Sequence, residues 1–361
     1  MQKICFLIGD ISHSGGTERV TTLIANQMAK DNKIYILSLS GNSPPFFEQN
    51  SSIINDSLFN KKVSMKKKLL STILKIRKYL ITNKIDTLIV VDSISCVFTV
   101  PACIGLKLQH ICWEHFNLKV NLGSSFRDLG RWMAAKFCTK IITLTERDKK
   151  FWDTKYNLIS SNKVIAIPNP SPYNLQDNQP TLANKTILCV GRLTYQKGFD
   201  LLIPAWADIA SKLNGWKVII VGTGEDENVL KEMAIEYNVS DSIEFVGQQK
   251  NMDLFYRKAS FFCMSSRFEG LPMVLLEAQS YGLPIVSFDC DTGPGEIICD
   301  SSNGFLCSKE NINELSRDLF RLADLESLKF NEFTEKSKKK SLEYDISNII
   351  NKWNSLGILK K

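Results

Sequence analysis

Histidine is scarce in this chain, with three among 361 residues. No cysteine stands at C-x-x-C spacing or at a Cys/His spacing of the zinc type, so no metal centre is expected from spacing. The ten cysteines are scattered, at Cys5, Cys96, Cys103, Cys112, Cys138, Cys189, Cys263, Cys290, Cys299 and Cys307. Several lie in apolar runs that read as buried strands, such as Ile187-Leu188-Cys189-Val190, so reduced, packed thiols of a cytosolic protein are expected rather than a disulfide framework. No leader is expected either, because the apolar run Ile4 to Ile8 is too short and Asp10 follows it at once. Residues 87–106 are apolar enough to imitate a membrane span, yet Asp92 sits inside them and Pro101 and Gly105 follow. That suits a buried strand leading into a helix. Internal repeats are absent. So is a dinucleotide fingerprint, since Gly9-Asp10-Ile11-Ser12-His13-Ser14-Gly15-Gly16 does not fit G-x-G-x-x-G.

What is present is enough chain for two ordinary domains, each with its own core. Strand-like runs alternate with helical stretches, which predicts parallel α/β architecture. The strands expected are Lys3–Ile8, Lys33–Ser38, Thr87–Val91, His110–Trp113, Ile141–Leu144 and Val164–Ile167 in the first half. In the second they are Thr186–Val190, Lys217–Val221, Ser242–Phe245, Phe261–Met264 and Pro284–Ser287. Between the halves, Pro168-Asn169-Pro170-Ser171-Pro172 and a polar stretch to Pro180 read as a linker. The domains are accordingly placed at 1–170 and 171–340, with the tail from Ser341 to Leu359 helical. Residues 1–175 carry 24 Lys+Arg against 12 Asp+Glu (24 − 12 = +12), and residues 176–361 carry 21 against 26 (21 − 26 = −5). A basic first half facing something anionic follows.

The densest signal is Ser265-Ser266-Arg267-Phe268-Glu269-Gly270-Leu271-Pro272-Met273-Val274-Leu275-Leu276-Glu277. Pro272 suits the first turn of a helix, which puts Glu269 in the loop before it and Glu277 inside it. Eight residues of helix span about 12 Å, roughly the sugar-to-ribose distance of an extended nucleotide sugar. The positive helix end would then point at the diphosphate between them. Arg192 and Lys197 follow a strand beside Gly191 and Gly198, where ligands bind in such sheets. Two cations there suit a diphosphate clamp that stabilises the leaving group. His115 follows a strand end in Trp113-Glu114-His115-Phe116-Asn117, and His13 lies in the glycine loop. Asp289-Cys290-Asp291 is formally a D-x-D triplet.

The E-x7-E stretch resembles the motif of retaining glycosyltransferases of family 4, and the likeness covers nearly the whole chain. It is carried also by Gly15-Gly16-Thr17-Glu18-Arg19, by Val190-Gly191-Arg192-Leu193-Thr194-Tyr195-Gln196-Lys197-Gly198-Phe199-Asp200, by Val221-Gly222-Thr223-Gly224-Glu225 and by Phe245-Val246-Gly247. The resemblance implies the GT-B fold, two Rossmann-like domains facing across a cleft, with the terminal helix (341–361) crossing back to the first domain. It assigns donor binding to Gly15, Gly16, Arg192, Lys197, Gly247, Glu269, Gly270, Leu271, Pro272 and Glu277. Glu277 would grip the ribose, the Gly270 and Leu271 amides the sugar hydroxyls, and His115 would touch the sugar. It implies catalysis by Arg192, Lys197, Glu269 and His115 along a front-face, retaining path in which the leaving phosphate helps to remove the acceptor proton. Neither a metal nor another cofactor is implied, which counts against a metal at Asp289-Cys290-Asp291. Thr292-Gly293-Pro294-Gly295-Glu296 and Glu114-His115-Phe116-Asn117 look most like enzymes assembling O-antigen, lipopolysaccharide or related bacterial surface polysaccharides on lipid carriers. UDP-galactose, UDP-N-acetylgalactosamine or UDP-glucose would be the donor. A GT-B nucleotide-sugar epimerase or hydrolase, or a non-catalytic nucleotide-sugar-binding protein, stands as the alternative.

Lys61 to Asn83 reads as a basic helix with Met65, Leu69, Ile73, Ile76 and Leu80 on one face. Its Lys66, Lys67, Lys68, Lys75 and Lys78, with Arg127, Arg131 and Lys136, are expected to meet an anionic membrane surface. The expected place is the cytoplasm, peripheral to the cytoplasmic face of the inner membrane. No aromatic-and-basic motif supports nucleic acid as the partner.

Overall fold

A computed structural model describes residues 1–64 and 67–357. Met65 and Lys66, and the end of the tail from residue 358, lie outside the described residues. The chain forms two compact units, Met1–Pro170 with the segment from Ile346 onward, and Ser171–Asp345.

Each unit is built on a parallel sheet. The first contains β1 (Lys3–Ile8), β2 (Lys33–Ser38), β3 (Ile54–Ser57), β4 (Thr87–Val91), β5 (Gln109–Trp113), β6 (Lys140–Thr143) and β7 (Val164–Ala166), in the order β3-β2-β1-β4-β5-β6-β7. The second contains β8 (Thr186–Val190), β9 (Lys217–Val221), β10 (Ile243–Phe245), β11 (Phe261–Met264), β12 (Ile285–Asp289) and β13 (Gly304–Ser308), ordered β10-β9-β8-β11-β12-β13. The inner strands are buried along their length, as their near-continuous apolar runs require in a sheet covered by helices on both faces. In both sheets the order reverses after the first strand, at β1/β4 and at β8/β11. Loops leaving the two strands there diverge and leave room for a ligand.

Two strands escaped the sequence reading. β3 has the sequence Ile-Asn-Asp-Ser on a sheet edge, and β13, also at an edge, opens on a glycine and holds only Phe305-Leu306-Cys307 as its apolar stretch, so neither shows a long apolar run. The basic helix is shorter than expected and runs Leu69–Asn83. Lys67 and Lys68 form a turn before it, since successive ammonium groups oppose the positive end of the helix dipole. The tail breaks at a 3₁₀ turn, Leu342–Tyr344, and resumes as the helix Ile346–Ser355. Its Trp353 is buried edge-on against Trp113 of β5, with ring centroids 5.1 Å apart.

The first unit buries a charge network beneath the loop that follows β5. The Arg131 guanidinium, fully buried, donates to Glu114 Oε2 at 3.1 Å and to the carbonyls of Asn117, Leu118 and Val120. Arg127 pairs with Asp92 Oδ1 at 2.6 Å and stacks its guanidinium over Phe116. Neither arginine is available to a membrane, which corrects the expectation for both. Their charges satisfy buried carboxylates and carbonyls instead. Removing Arg131 would take away the nearest cation of buried Glu114, leaving it only the more distant Arg127 at 3.8 Å, and would strip three carbonyls of their donor, so Arg131→Ala is expected to cost about 3 kcal/mol in urea unfolding. Lys136→Ala, on the exposed side of the same helix, is expected to stay within about 0.5 kcal/mol.

Candidate active site

The second unit brings its motif residues together at the β8/β11 reversal. After β8 the chain makes a short 3₁₀ turn, Tyr195–Lys197, and enters a helix through Gly198, whose φ is +65°. A Cβ on Gly198 would overlap the carbonyl of Ser265, so glycine allows both the left-handed turn and the close approach of the two loops. Ser265 Oγ donates to the Lys197 carbonyl, Arg267 N–H to the Gln196 carbonyl, and Gln196 Nε2 to the Phe268 carbonyl. Between these backbone stitches, Lys197 Nζ meets Glu269 Oε1 at 2.6 Å, and both side chains are largely shielded from solvent. Arg192 is exposed and has no ion-pair partner among the described residues.

The loops after β9 and β12 join the same edge. Gly222, at φ +144°, lies against the Gly191 carbonyl where a side chain would overlap it, and its N–H donates to the carbonyl of Gly247. Thr292 Oγ1 donates to the Glu269 carbonyl at 2.6 Å. This places the Thr292-Gly293-Pro294 segment directly against the E-x7-E loop.

The helix after β11 begins at Met273, with Pro272 as its N-cap at ψ 108°. Only the second half of the Glu269–Glu277 interval is therefore helical, and the 12 Å helix-rise span does not apply. The cause is Pro272, whose extended ψ keeps Glu269-Gly270-Leu271 a loop. No side chain among the described residues caps this helix, so its first N–H groups are left to water or a ligand. Glu277 is buried, and the Tyr256 hydroxyl donates to its Oε2 at 2.7 Å.

Two supporting residues were not legible beforehand. Tyr256 holds Glu277 from another helix, 21 positions away in sequence. Arg267 lies inside the motif, yet its role comes from outside it. Its guanidinium takes Asp200 in a two-pronged contact of 2.8 and 2.6 Å and also donates to the Tyr195 carbonyl, which fixes the turn that carries Lys197.

In the first unit, Gly15 caps the helix Gly16–Met28 after β1, and His13 is exposed, 3.8 Å from Asp10. His115 follows β5 and is buried against Trp113, with ring centroids 4.4 Å apart. Burial lowers its pKa to about 3, so the ring is neutral, and its Nε2 has no hydrogen-bond partner among the described residues. A buried ring nitrogen with nothing to bond marks a place where a ligand hydroxyl or water would be welcome.

A parallel α/β unit that gathers Arg192, Lys197, Glu269 and an uncapped helix at its strand-order reversal, in one chain with a second parallel unit, has the design of a GT-B glycosyltransferase. Comparison with known proteins agrees. The family model "Glycosyltransferase Family 4" matches residues 14–171, and "Glycosyl transferases group 1" matches residues 174–340. An uncharacterized glycosyltransferase of Haemophilus influenzae is 37% identical over 99% of this chain and 100% of its own. The amylovoran biosynthesis glycosyltransferase AmsD of Erwinia amylovora is 30% identical over 99% of each. A Campylobacter jejuni enzyme named as an α-1,4-N-acetyl-D-galactosaminyltransferase acting on a diNAcBac-PP-undecaprenol-linked glycan is 25% identical over 98% of this chain and 97% of its own. Among solved structures, the lipopolysaccharide outer core galactosyltransferase WaaB superposes with a TM-score of 0.78 at 19% identity, covering 98% of each chain. Anabaena HepE in complex with UDP-glucose gives 0.79 at 16% identity, covering 99% of this chain and 100% of its own. The chain belongs to glycosyltransferase family 4.

The buried histidine sets a pH dependence. Its folded pKa of about 3 lies below the ordinary 6.5. The stability it contributes is therefore fully present above about pH 6.5 and is lost as pH falls toward 3. Asp92 and Asp148 act in the opposite sense. Burial raises them from 3.8 to about 6 and about 7, so their contribution is present below about pH 4 and is lost as pH rises through those values. Both aspartates are retained in His115→Gln, so the comparison isolates the ring. The wild-type advantage over that variant is expected to shrink by about 2 kcal/mol between pH 7 and pH 5 in urea unfolding.

Proposed function

We propose that this protein is a retaining hexosyltransferase that moves a hexose or N-acetylhexosamine (Gal, GalNAc or Glc) from a UDP-sugar to a lipid-linked glycan, in assembly of a bacterial surface polysaccharide. The observation that carries this reading is the Lys197–Glu269 pair at 2.6 Å, bridging the β8/β11 reversal beside the unpartnered Arg192. A diphosphate brings two negative charges to that point. Arg192 meets it directly, and Lys197 turns from Glu269 to phosphate, which frees the carboxylate to accept hydrogen bonds from the sugar hydroxyls. The two cations and the N–H groups opening the Met273–Ser280 helix then stabilise the departing UDP, and its phosphate oxygen takes the acceptor proton on the same face. Charge neutralisation comes from side chains and backbone, so the transfer is assigned no metal. Glu277, held by Tyr256, serves the ribose, and the neutral His115 offers its unpaired Nε2 to a sugar hydroxyl. The names of the Campylobacter relative and of the UDP-glucose complex support the donor and acceptor classes.

Arg192→Ala and Lys197→Ala are each expected to lower turnover by about 10²-fold or more with little change in folding. Glu277→Ala should weaken UDP binding by about 1.5–3 kcal/mol, whereas Glu269→Ala should impair transfer more than UDP affinity. Thermal stabilisation of the purified protein by a panel of UDP-sugars identifies the donor. Near wild-type transfer in both cation variants would remove the clamp. Release of free sugar at the same rate with and without acceptor would replace transfer by hydrolysis.

The acceptor reading includes a peripheral place on an anionic membrane. Lys75 is committed to the Leu58 carbonyl and the Phe59 ring, and Arg77 to the carbonyls of Ala102 and Ile104. Lys67, Lys68 and Lys78 remain exposed. Lys78 stands on one stripe of the Leu69–Asn83 helix with Leu70, Leu74 and Ile81, exposed at 74%, 66% and 53%, and Lys67 and Lys68 lie in the turn just before it. Apolar side chains flanked by lysines suit insertion at an anionic lipid interface. Binding to vesicles should require anionic lipid, fall as salt rises and weaken in a Lys67→Glu, Lys68→Glu, Lys78→Glu variant, because each lysine near the surface contributes about 1 kcal/mol. Equal, salt-insensitive binding to neutral vesicles would leave these lysines as a solvated face.

A further inference from the structure

The core of the first unit holds a cluster of thiols and one imidazole that the transfer reaction does not use. Cys96 opens the helix Cys96–Cys103, His110 lies in β5, and Cys138 ends the helix Ser125–Phe137. Their ligating atoms all lie within 4.8 Å of one another, and all three residues are buried. Cys96 Sγ is 4.0 Å from Cys138 Sγ, and Cys138 Sγ is 3.7 Å from His110 Nδ1. Tetrahedral zinc, with bonds of about 2.3 Å to sulfur and about 2.0–2.1 Å to nitrogen, sets sulfur atoms about 3.8 Å apart and sulfur to nitrogen about 3.5 Å apart. The observed spacings are within a few tenths of an ångström of those values. A disulfide would need its sulfurs at about 2.05 Å.

Three further features fit a metal better than plain packing. His110 Nε2 lies 3.0 Å from the buried Thr99 hydroxyl. In the tautomer that donates Nε2–H to that oxygen, Nδ1 keeps its lone pair toward the sulfurs, the outer-shell arrangement that orients a metal-bound histidine. Cys112 is two residues beyond His110 on β5, hence on the same face of the strand. Its thiol lies outside the group within 4.8 Å, so it serves as a fourth ligand only if the metal draws it in. Lys163, half-buried, donates to the Ala135 carbonyl at 2.8 Å and lies within electrostatic reach of Cys112 and Cys138. A divalent ion with three thiolates has a net charge of −1, which this ammonium offsets.

We propose that Cys96, His110 and Cys138, with Cys112 drawn in as the fourth ligand, form a structural zinc site inside the first unit. The ion ties the start of one helix, the end of another and the strand that leads to His115, and it plays no part in the transfer chemistry. Sequence spacing conceals the site, because the ligands stand 14 and 28 positions apart (110 − 96 = 14, 138 − 110 = 28), apart from the strand pair 110 and 112.

The full chain, isolated in the presence of a reductant, should carry about one zinc ion per molecule by elemental analysis and keep it through dialysis against a chelator until it is unfolded. Refolding the metal-free chain with cobalt(II) should give the tetrahedral visible bands and the thiolate-to-cobalt charge-transfer absorption. Cys96→Ser, Cys138→Ser and His110→Asn should each lower the bound metal at least several-fold, and Cys5→Ser, another buried thiol of the same unit, should not. The wild-type cobalt spectrum decides the matter even where a variant fails to fold. A folded wild-type chain that takes up neither metal, metal content unchanged in all three ligand variants, or a Cys96–Cys138 disulfide in the freshly isolated protein would each overturn the proposal.

Discussion

The contact between Lys197 and Glu269 joins two loops that the strand order would otherwise drive apart. Parallel strands whose sequence order reverses send successive connections to opposite faces of the sheet, which opens a gap between the loops at β8/β11. Here the gap is crossed by an ion pair at 2.6 Å and flanked by backbone hydrogen bonds from Ser265, Arg267 and Gln196. The pair holds the cation and the carboxylate of the site in register. It also keeps each charge compensated where exposure is low, since an isolated ion there would carry a large desolvation cost. Other parts of the second unit support it. Arg267 and Asp200 brace the turn under Lys197, Thr292 braces the loop under Glu269, and Gly198 permits the two loops to touch.

The first unit treats the equivalent edge differently. Its charges form a buried network in which Arg127 and Arg131 answer Asp92 and Glu114 and bind the carbonyls of the loop beyond β5. That network spends its cations on structure and leaves His115 as a neutral, partly unsatisfied ring. The two edges thus differ in charge. One carries an exposed arginine beside an ion pair. The other spends its cations on structure and presents a neutral ring.

Much of the fold was legible because its signals are local. Buried parallel strands must be apolar runs, so Thr87–Val91 and Lys217–Val221 were visible as such, whereas the polar edge strand Ile54–Ser57 was not. The motif glycines were legible too, because left-handed turns and close backbone approaches admit little else. Arg127 and Arg131 were misread for the opposite reason. An arginine looks the same in sequence whether it faces water or a buried carboxylate, and only the packing of the helix Ser125–Phe137 distinguishes the two.

By itself, then, the sequence determined the alternation of strands and helices, the linker near residue 170 and the motif residues carried by the loops at the β8/β11 reversal, since each depends on chemistry within a few neighbouring positions. Tertiary structure alone decided which charges meet. It paired Lys197 with Glu269 across 72 positions, put Tyr256 on Glu277, withdrew two arginines from the surface and drew Cys96, His110 and Cys138 into one cluster. Those encounters follow from how the chain crosses between strands, and Coulomb and hydrogen-bond energies act over a few ångströms of space, whatever the distance along the chain.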